Sequence, residues 1–189
     1  NEVSAAVKEI GACNCIRVQN GHLTGFNTDA AGFEQTILPL LKPHHQKALI
    51  LGTGGASKAV AWVFSKLGIE YTYVSREAKE GRLTYARLDE LIQQYQVIVN
   101  TTPLGMQPNI NQKPSLPYPS LNSQYLCYDL IYNPEKTVFL QQAELSGAVI
   151  KNGVEIGFDG GKYRTKKCEA KLIFETPDFG PRGKKIRDE

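Results

Sequence analysis

The stretch Ala48–Val60, ALILGTGGASKAV, runs from an apolar segment through three glycines straight into a helical pattern. Lys47–Leu51 reads as a short strand and Ala56–Leu67 as a helix stopped at Gly68. Such a turn gathers unpaired N–H groups and the positive end of a helix dipole at one point, which suits an anion. Gly52 and Gly54 fill the first two places of G-x-G-x-x-G, with Gly55 extra and Ser57 at the third place. The strand before and the helix after give the motif its structural context. Gly52, Thr53, Gly54, Gly55 and Ala56 are therefore candidates to cradle a dinucleotide's pyrophosphate. The plain alternative is a strand–helix turn that holds nothing. Ser57 in place of glycine predicts slightly looser packing of helix on strand.

Outward from this turn the alternation continues. Tyr71–Val74, Val97–Asn100, Leu126–Ile131 and Ala148–Ile150 read as strands, Leu88–Tyr95 and Lys136–Ser146 as helices. Apolar strands without polar alternation, separated by helices, indicate a parallel sheet covered on both faces. The expected fold class is α/β, a doubly wound, Rossmann-like parallel sheet. Gln107–Gln124 holds four prolines and little periodicity, and reads as a loop. Upstream, residues 12–26 read as a β-hairpin turning at Asn20-Gly21, a dipeptide suited to a type I′ turn. A helix follows, capped by Thr28 or Asp29, with Phe33, Ile37, Leu40 and Leu41 at helical spacing. Lys42-Pro43 ends it.

The end of the second strand selects the cofactor. NAD sites place Asp or Glu there to hold the ribose 2′-OH. This chain reads Val74-Ser75-Arg76-Glu77. A guanidinium grips a 2′-phosphate and Ser75 has a hydroxyl to donate, so NADP is the expected cofactor. The alternative leaves Arg76 a solvated charge, paired with Glu77. Thr102 lies just past the Val97–Asn100 strand, at the edge where open parallel sheets bind ligands, and is a candidate cofactor contact.

Composition narrows the classes. The 22 basic residues nearly balance 19 acidic ones, leaving +3, unlike a dedicated nucleic-acid binder. No apolar run approaches the ~20 residues of a membrane span. The start, NEVSAAVKEI, lacks Met and a signal pattern, and reads as a chain entered partway through a helix. A piece of a longer protein is the expectation. Cys13, Cys15, Cys127 and Cys168 are too scattered for a disulfide scaffold, and their spacing does not match zinc. They read as buried reduced thiols of a cytoplasmic protein, with no metal. His22, His44 and His45 read as surface residues. Asn100-Thr101-Thr102 fits a glycosylation sequon without a secretory signal, and Asp178-Phe179-Gly180 spells a kinase tripeptide without its companion motifs.

Taken together, GACNC (11–15), GFNTDAAGF (25–33), LGTGGASKAV (51–60), SRE (75–77), NTTPLGM (100–106), YDLIYNP (128–134) and KNGVEI (151–156) resemble the C-terminal, NADP-binding part of shikimate dehydrogenases. The resemblance implies NADPH-dependent reduction of 3-dehydroshikimate to shikimate, in aromatic amino-acid biosynthesis. It implies that Asp29 is the carboxylate of a Lys/Asp proton-transfer pair and also binds a substrate hydroxyl. Asn14 and Tyr132 match substrate-binding positions, while Leu130 and Gly153 match positions lining the nicotinamide end. The partner implied is a small molecule, shikimate or 3-dehydroshikimate, and a homodimer is allowed. Residues 1–27 then close an N-terminal substrate domain, 28–156 form the NADP domain, and 157–189 a divergent, mobile tail. Two departures stand out: the pair's Lys falls upstream of GACNC, and Gly160 occupies the place of a substrate-binding Gln. This polypeptide by itself is expected to bind NADP(H) and turn over negligibly. A non-catalytic NADP(H)-binding module and a quinate/shikimate paralogue are the alternatives.

Overall fold

A computed structural model describes residues 2–157. The tail after residue 157, Gly160, Cys168 and the kinase-like tripeptide, with the expectations attached to them, lie outside the described residues. The described chain opens with β1 (Glu2–Val3), α1 (Ala5–Ile10), β2 (Cys15–Gln19) and β3 (His22–Phe26), and β1, β3 and β2 make a small sheet in that order. Its opening differs from the expected mid-helix entry. Glu2 and Val3 pair in parallel with Thr24 and Gly25, and the helix starts only after Ser4, whose hydroxyl caps Val7 N–H. The hairpin turns as expected, with Gln19 paired to His22 and both Asn20 (φ 50°) and Gly21 (φ 77°) left-handed.

Next come α2 (Thr28–Ile37), β4 (Lys47–Leu51), α3 (Gly55–Leu67), β5 (Glu70–Ser75) and β6 (Arg82–Thr84). The remainder is α4 (Leu88–Leu91), β7 (Val97–Asn100), β8 (Leu126–Asp129), α5 (Val138–Leu145) and β9 (Val149–Lys151). Six parallel strands form the main sheet in the order β6-β5-β4-β7-β8-β9. The order reverses between β4 and β7, and in such sheets that point opens a crevice at the strands' carboxyl ends.

The side-chain period of two explains why these strands are apolar throughout. Ala48, Ile50, Val97, Val99, Leu126 and Tyr128 face one core with α2 and α3, while Leu49, Leu51, Ile98 and Cys127 face the other with Phe139 and Leu140 of α5. Phe33 meets Phe64 and Tyr128 edge-on at 5.6 and 5.1 Å, and the Tyr128 hydroxyl lies 2.7 Å from that of Thr36.

Local corrections have local causes. The cap of α2 is Asn27, not Thr28 or Asp29, because its Oδ1 accepts from Ala30 N–H at 3.0 Å. Of the expected helix over 88–95, only the four residues of α4 are α-helical; a 3-10 turn at 92–94 follows them, and another at 85–87 precedes the span. Strand β6 has only three residues and no apolar run, so periodicity passed over it. Cys127 is buried as expected, but Cys13 is exposed. His45 is buried too, contrary to its reading as a surface residue: Nδ1 accepts from Lys42 N–H at 3.0 Å and Nε2 donates to the Gln124 carbonyl at 3.1 Å. No helix among the described residues is long and apolar enough to cross a membrane.

Candidate functional site

Five predicted residues form the mouth of α3. Gly54 precedes the helix with no side-chain cap, and Thr53, Gly54 and Gly55 are exposed. The first-turn N–H groups of Gly55 and Ala56 therefore point at open space, as an anion site requires. Gly52 makes the turn possible. Its φ is +106°, its N–H bonds the Val74 carbonyl at 2.9 Å, and a Cβ there would lie 2.9 Å from Thr101 Oγ1. Ser57 is 1% exposed and donates to the Gly54 carbonyl at 2.6 Å, so its hydroxyl is absorbed inside the first turn.

Arg76 follows β5 directly, on the same edge as the mouth, since Leu51 pairs with Val74. It is exposed and makes no ion pair among the described residues, Glu77 included. Its positive charge is felt by Tyr85, at the end of β6, where burial raises the phenol's pKa and Arg76 counters that. Ser75 differs from expectation. Its Oγ donates to the Glu77 carbonyl at 2.6 Å, so its hydroxyl shapes the turn that carries Arg76.

Across the crevice, Thr101 Oγ1 donates to the Leu51 carbonyl at 2.7 Å and Thr102 is tied to Asn100, N–H at 3.0 Å and hydroxyl at 2.6 Å. Asn100 is fully buried, which closes the sequon to modification. Sequence reasoning missed what holds it. Asn100 Nδ2 donates to Asp129 Oδ1 at 3.1 Å, Ile131 N–H donates to the same oxygen at 3.1 Å, and the Thr137 hydroxyl donates to Oδ2 at 2.6 Å. Asp129 is completely buried, and that burial lifts its pKa to about 6 against the pull of its three donors. A polar residue closing two adjacent apolar strands, VIVN and YD, was the available signal.

Leu130 and Gly153 meet beside this network. A Cβ on Gly153 would sit 2.1 Å from the Leu130 carbonyl oxygen, so the contact admits only glycine. Tyr132 is 64% exposed. A depression of about 460 Å³ lined by Glu135, Lys136, Leu140, Ile150, Lys151 and Asn152 lies away from the mouth and is lined by none of the predicted residues.

The small sheet brings Asn14 and Asp29 toward the same helix. Asn27 Nδ2 donates to the Ala12 carbonyl at 3.1 Å, and Ala12 packs against Gly55. Asn14 accepts from Thr28 N–H at 2.9 Å and donates to the Thr28 hydroxyl at 3.1 Å. The amide expected to meet substrate thus also braces the entrance of α2. Asp29 is half-buried in the first turn of that helix. Among the described residues no group of three or more His, Cys, Asp or Glu converges as a metal site would.

Comparison with known proteins agrees with this geometry. The NAD-binding domain of D-isomer-specific 2-hydroxyacid dehydrogenases matches residues 18–109, the part that carries the glycine mouth. Shikimate dehydrogenase (NADP(+)) of Desulforamulus reducens is 33% identical over 82% of this chain and 60% of its own length. That of Carboxydothermus hydrogenoformans is 36% identical over 82% and 61%. Among solved structures, shikimate dehydrogenase of Aquifex aeolicus is 30% identical, with a TM-score of 0.71, covering 82% of this chain and 60% of that one. The Thermus thermophilus enzyme, solved with NADP(H) and shikimate, is 28% identical, with a TM-score of 0.70, covering 82% and 61%. The chain spans about three-fifths of the length of the relatives it matches. Over 82% of its length, this chain is similar to shikimate dehydrogenases.

Proposed function

We propose that the chain supplies the cofactor half of an NADP-dependent shikimate dehydrogenase, which interconverts 3-dehydroshikimate and shikimate. The observation that carries this reading is the uncapped mouth of α3 at the sheet's switch point, with exposed Arg76 on the neighbouring strand end. That arrangement offers backbone donors to a diphosphate and a guanidinium to a ribose 2′-phosphate. The cofactor, when bound, supplies or accepts the hydride. Gly52 to Ala56 and Arg76 grip the adenosine side. Thr102, Leu130 and Gly153 flank the nicotinamide side. Asn14 and Tyr132 hold substrate hydroxyls, and Asp29 orients the proton donor that meets the developing alkoxide. The reading places the protein in the cytoplasm, within aromatic amino-acid biosynthesis.

Titration of the 189-residue chain with NADP+ and NAD+ tests this directly. NADP+ should bind more tightly, and Arg76→Ala should cost about 1.5–3 kcal/mol, about tenfold or more, for NADP+ alone. Equal affinity of the wild type for both cofactors defeats the assignment. The same chain assayed by itself should oxidise shikimate negligibly.

A further inference from the structure

Asp129 lies outside every role assigned so far, yet it joins the two loops on one side of the crevice. Its Oδ1 receives Asn100 Nδ2 from the end of β7 and Ile131 N–H from the turn after β8. Its Oδ2 receives the Thr137 hydroxyl, and Thr137 is the N-cap of α5. Asn100 in turn fixes Thr102 through its Oδ1, and its carbonyl accepts from Leu130 N–H at 3.1 Å. Ile131 passes the constraint on, since its carbonyl accepts from Gly153 N–H at 3.2 Å. One carboxylate therefore sets Thr102, Leu130 and Gly153, the three residues on the β7–β8 side.

Among the described residues, no side-chain hydrogen bond of Asp129 or Asn100 reaches the β4–β5 side. Gly52 and Arg76 are placed by the pairing of β4 with β5 and with β7, by the Gly52–Val74 bond, and by Thr101, whose N–H and hydroxyl donate to the Leu51 carbonyl at 3.0 and 2.7 Å. Doubly wound sheets are built from two mononucleotide-binding halves, and the two halves here are anchored by different means. We propose that Asp129 is a positioning residue for the nicotinamide half of the cleft, acting through Asn100, Ile131 and Thr137, and leaves the adenosine half untouched. The proposal rests on reading the crevice as a dinucleotide site. A fully buried carboxylate is costly unless its donors are well placed, which fits a group retained for the geometry it imposes.

The test uses Asp129→Asn and Thr137→Val, titrated with NADP+ and with adenosine 2′,5′-bisphosphate, which carries the adenosine half alone. Asp129→Asn replaces an acceptor with a donor facing Thr137 or Asn100. It should weaken NADP+ by about tenfold while leaving the bisphosphate within about twofold. Thr137→Val, a milder change that removes one of three donors, should shift NADP+ in the same direction by a smaller factor. If Asp129→Asn fails to fold, Thr137→Val decides by the same contrast. Loss of both ligands together, or of neither, overturns the proposal. A wild type that binds neither ligand overturns the dinucleotide reading, and the proposal with it.

Discussion

The Leu130 carbonyl oxygen occupies the space that any side chain on Gly153 would need, 2.1 Å from an ideal Cβ. Backbone meets backbone there, with no flexible side-chain end to yield. Gly153→Ala should therefore force the 151–156 segment off β8. The expected loss is about 3 kcal/mol or more of stability, at the upper end of overpacking costs, read by urea denaturation. Unchanged stability would show that the contact has slack.

At the other end of the crevice the constraint is conformational as well as steric. Gly52 combines φ of +106° with a 2.9 Å approach to Thr101 Oγ1. Gly52→Ala should cost about 1–3 kcal/mol of folding free energy. It should also reduce NADP+ affinity, because strain relief moves the turn that aims the helix mouth. Titration of the folded variant separates the two effects.

His45 gives the fold a pH response. Burial lowers its pKa, Lys42 and His44 add like-charge repulsion, and Nδ1 already accepts a hydrogen bond from Lys42 N–H. Protonation would set two donors face to face. A depressed pKa means that His45 contributes stability above its ordinary value of about 6.5, lost as pH falls through the folded value. His45→Gln should cost about 1–2 kcal/mol at pH 7.5 through two weakened hydrogen bonds. That difference should shrink on going to pH 5, measured by thermal or denaturant unfolding.

Asp129 works in the opposite sense. Its pKa of about 6 in the folded chain exceeds the ordinary 3.8, so its contribution favours folding below pH 4 and is lost as pH rises through 6. The span corresponds to about 3 kcal/mol. Wild type and His45→Gln, compared between pH 4 and 6, should show stability rising more steeply on acidification in the variant, where only Asp129 titrates of this pair.

The aromatic contact between α2 and the sheet should dominate the first core. Phe33 is 1% exposed and packs on Phe64 and Tyr128. Phe33→Ala is expected to cost about 3–5 kcal/mol, and Tyr128→Phe, after which the Thr36 hydroxyl keeps its donation to the Gly32 carbonyl at 2.8 Å, about 1 kcal/mol. Denaturant midpoints would rank them.

The parallel sheet was legible because β4, β7 and β8 bury both faces and so carry unbroken apolar runs between turn residues. The glycine mouth was legible because it begins at Gly52, whose left-handed φ of +106° demands glycine. Asn27 as the cap of α2 was not: Asn27, Thr28 and Asp29 are all capable cappers, and only tertiary bonds choose among them. Strand β6 depends on its neighbour β5 rather than on its own three residues. The Asn100–Asp129–Thr137 network joins residues up to 37 positions apart along the numbering, Asn100 to Thr137. No local pattern announces such a network, although the polar ends of apolar strands mark where to look. His45 escaped for the same reason, since its burial depends on Gln124, 79 residues away.

Helix α3 presents its first turn to the crevice and its flank to α1, where the Trp62 indole donates to Glu9 at 2.7 Å and Lys58 reaches the Gly11 carbonyl. Thirteen residues of one rod thus act as the ruler between the glycine mouth and the corner that Asn14 makes with Thr28. A change at the ends of β5 and β6 leaves that spacing alone. A change at the Asn14–Thr28 corner leaves it alone as well. Each can drift while the ruler keeps the other in step.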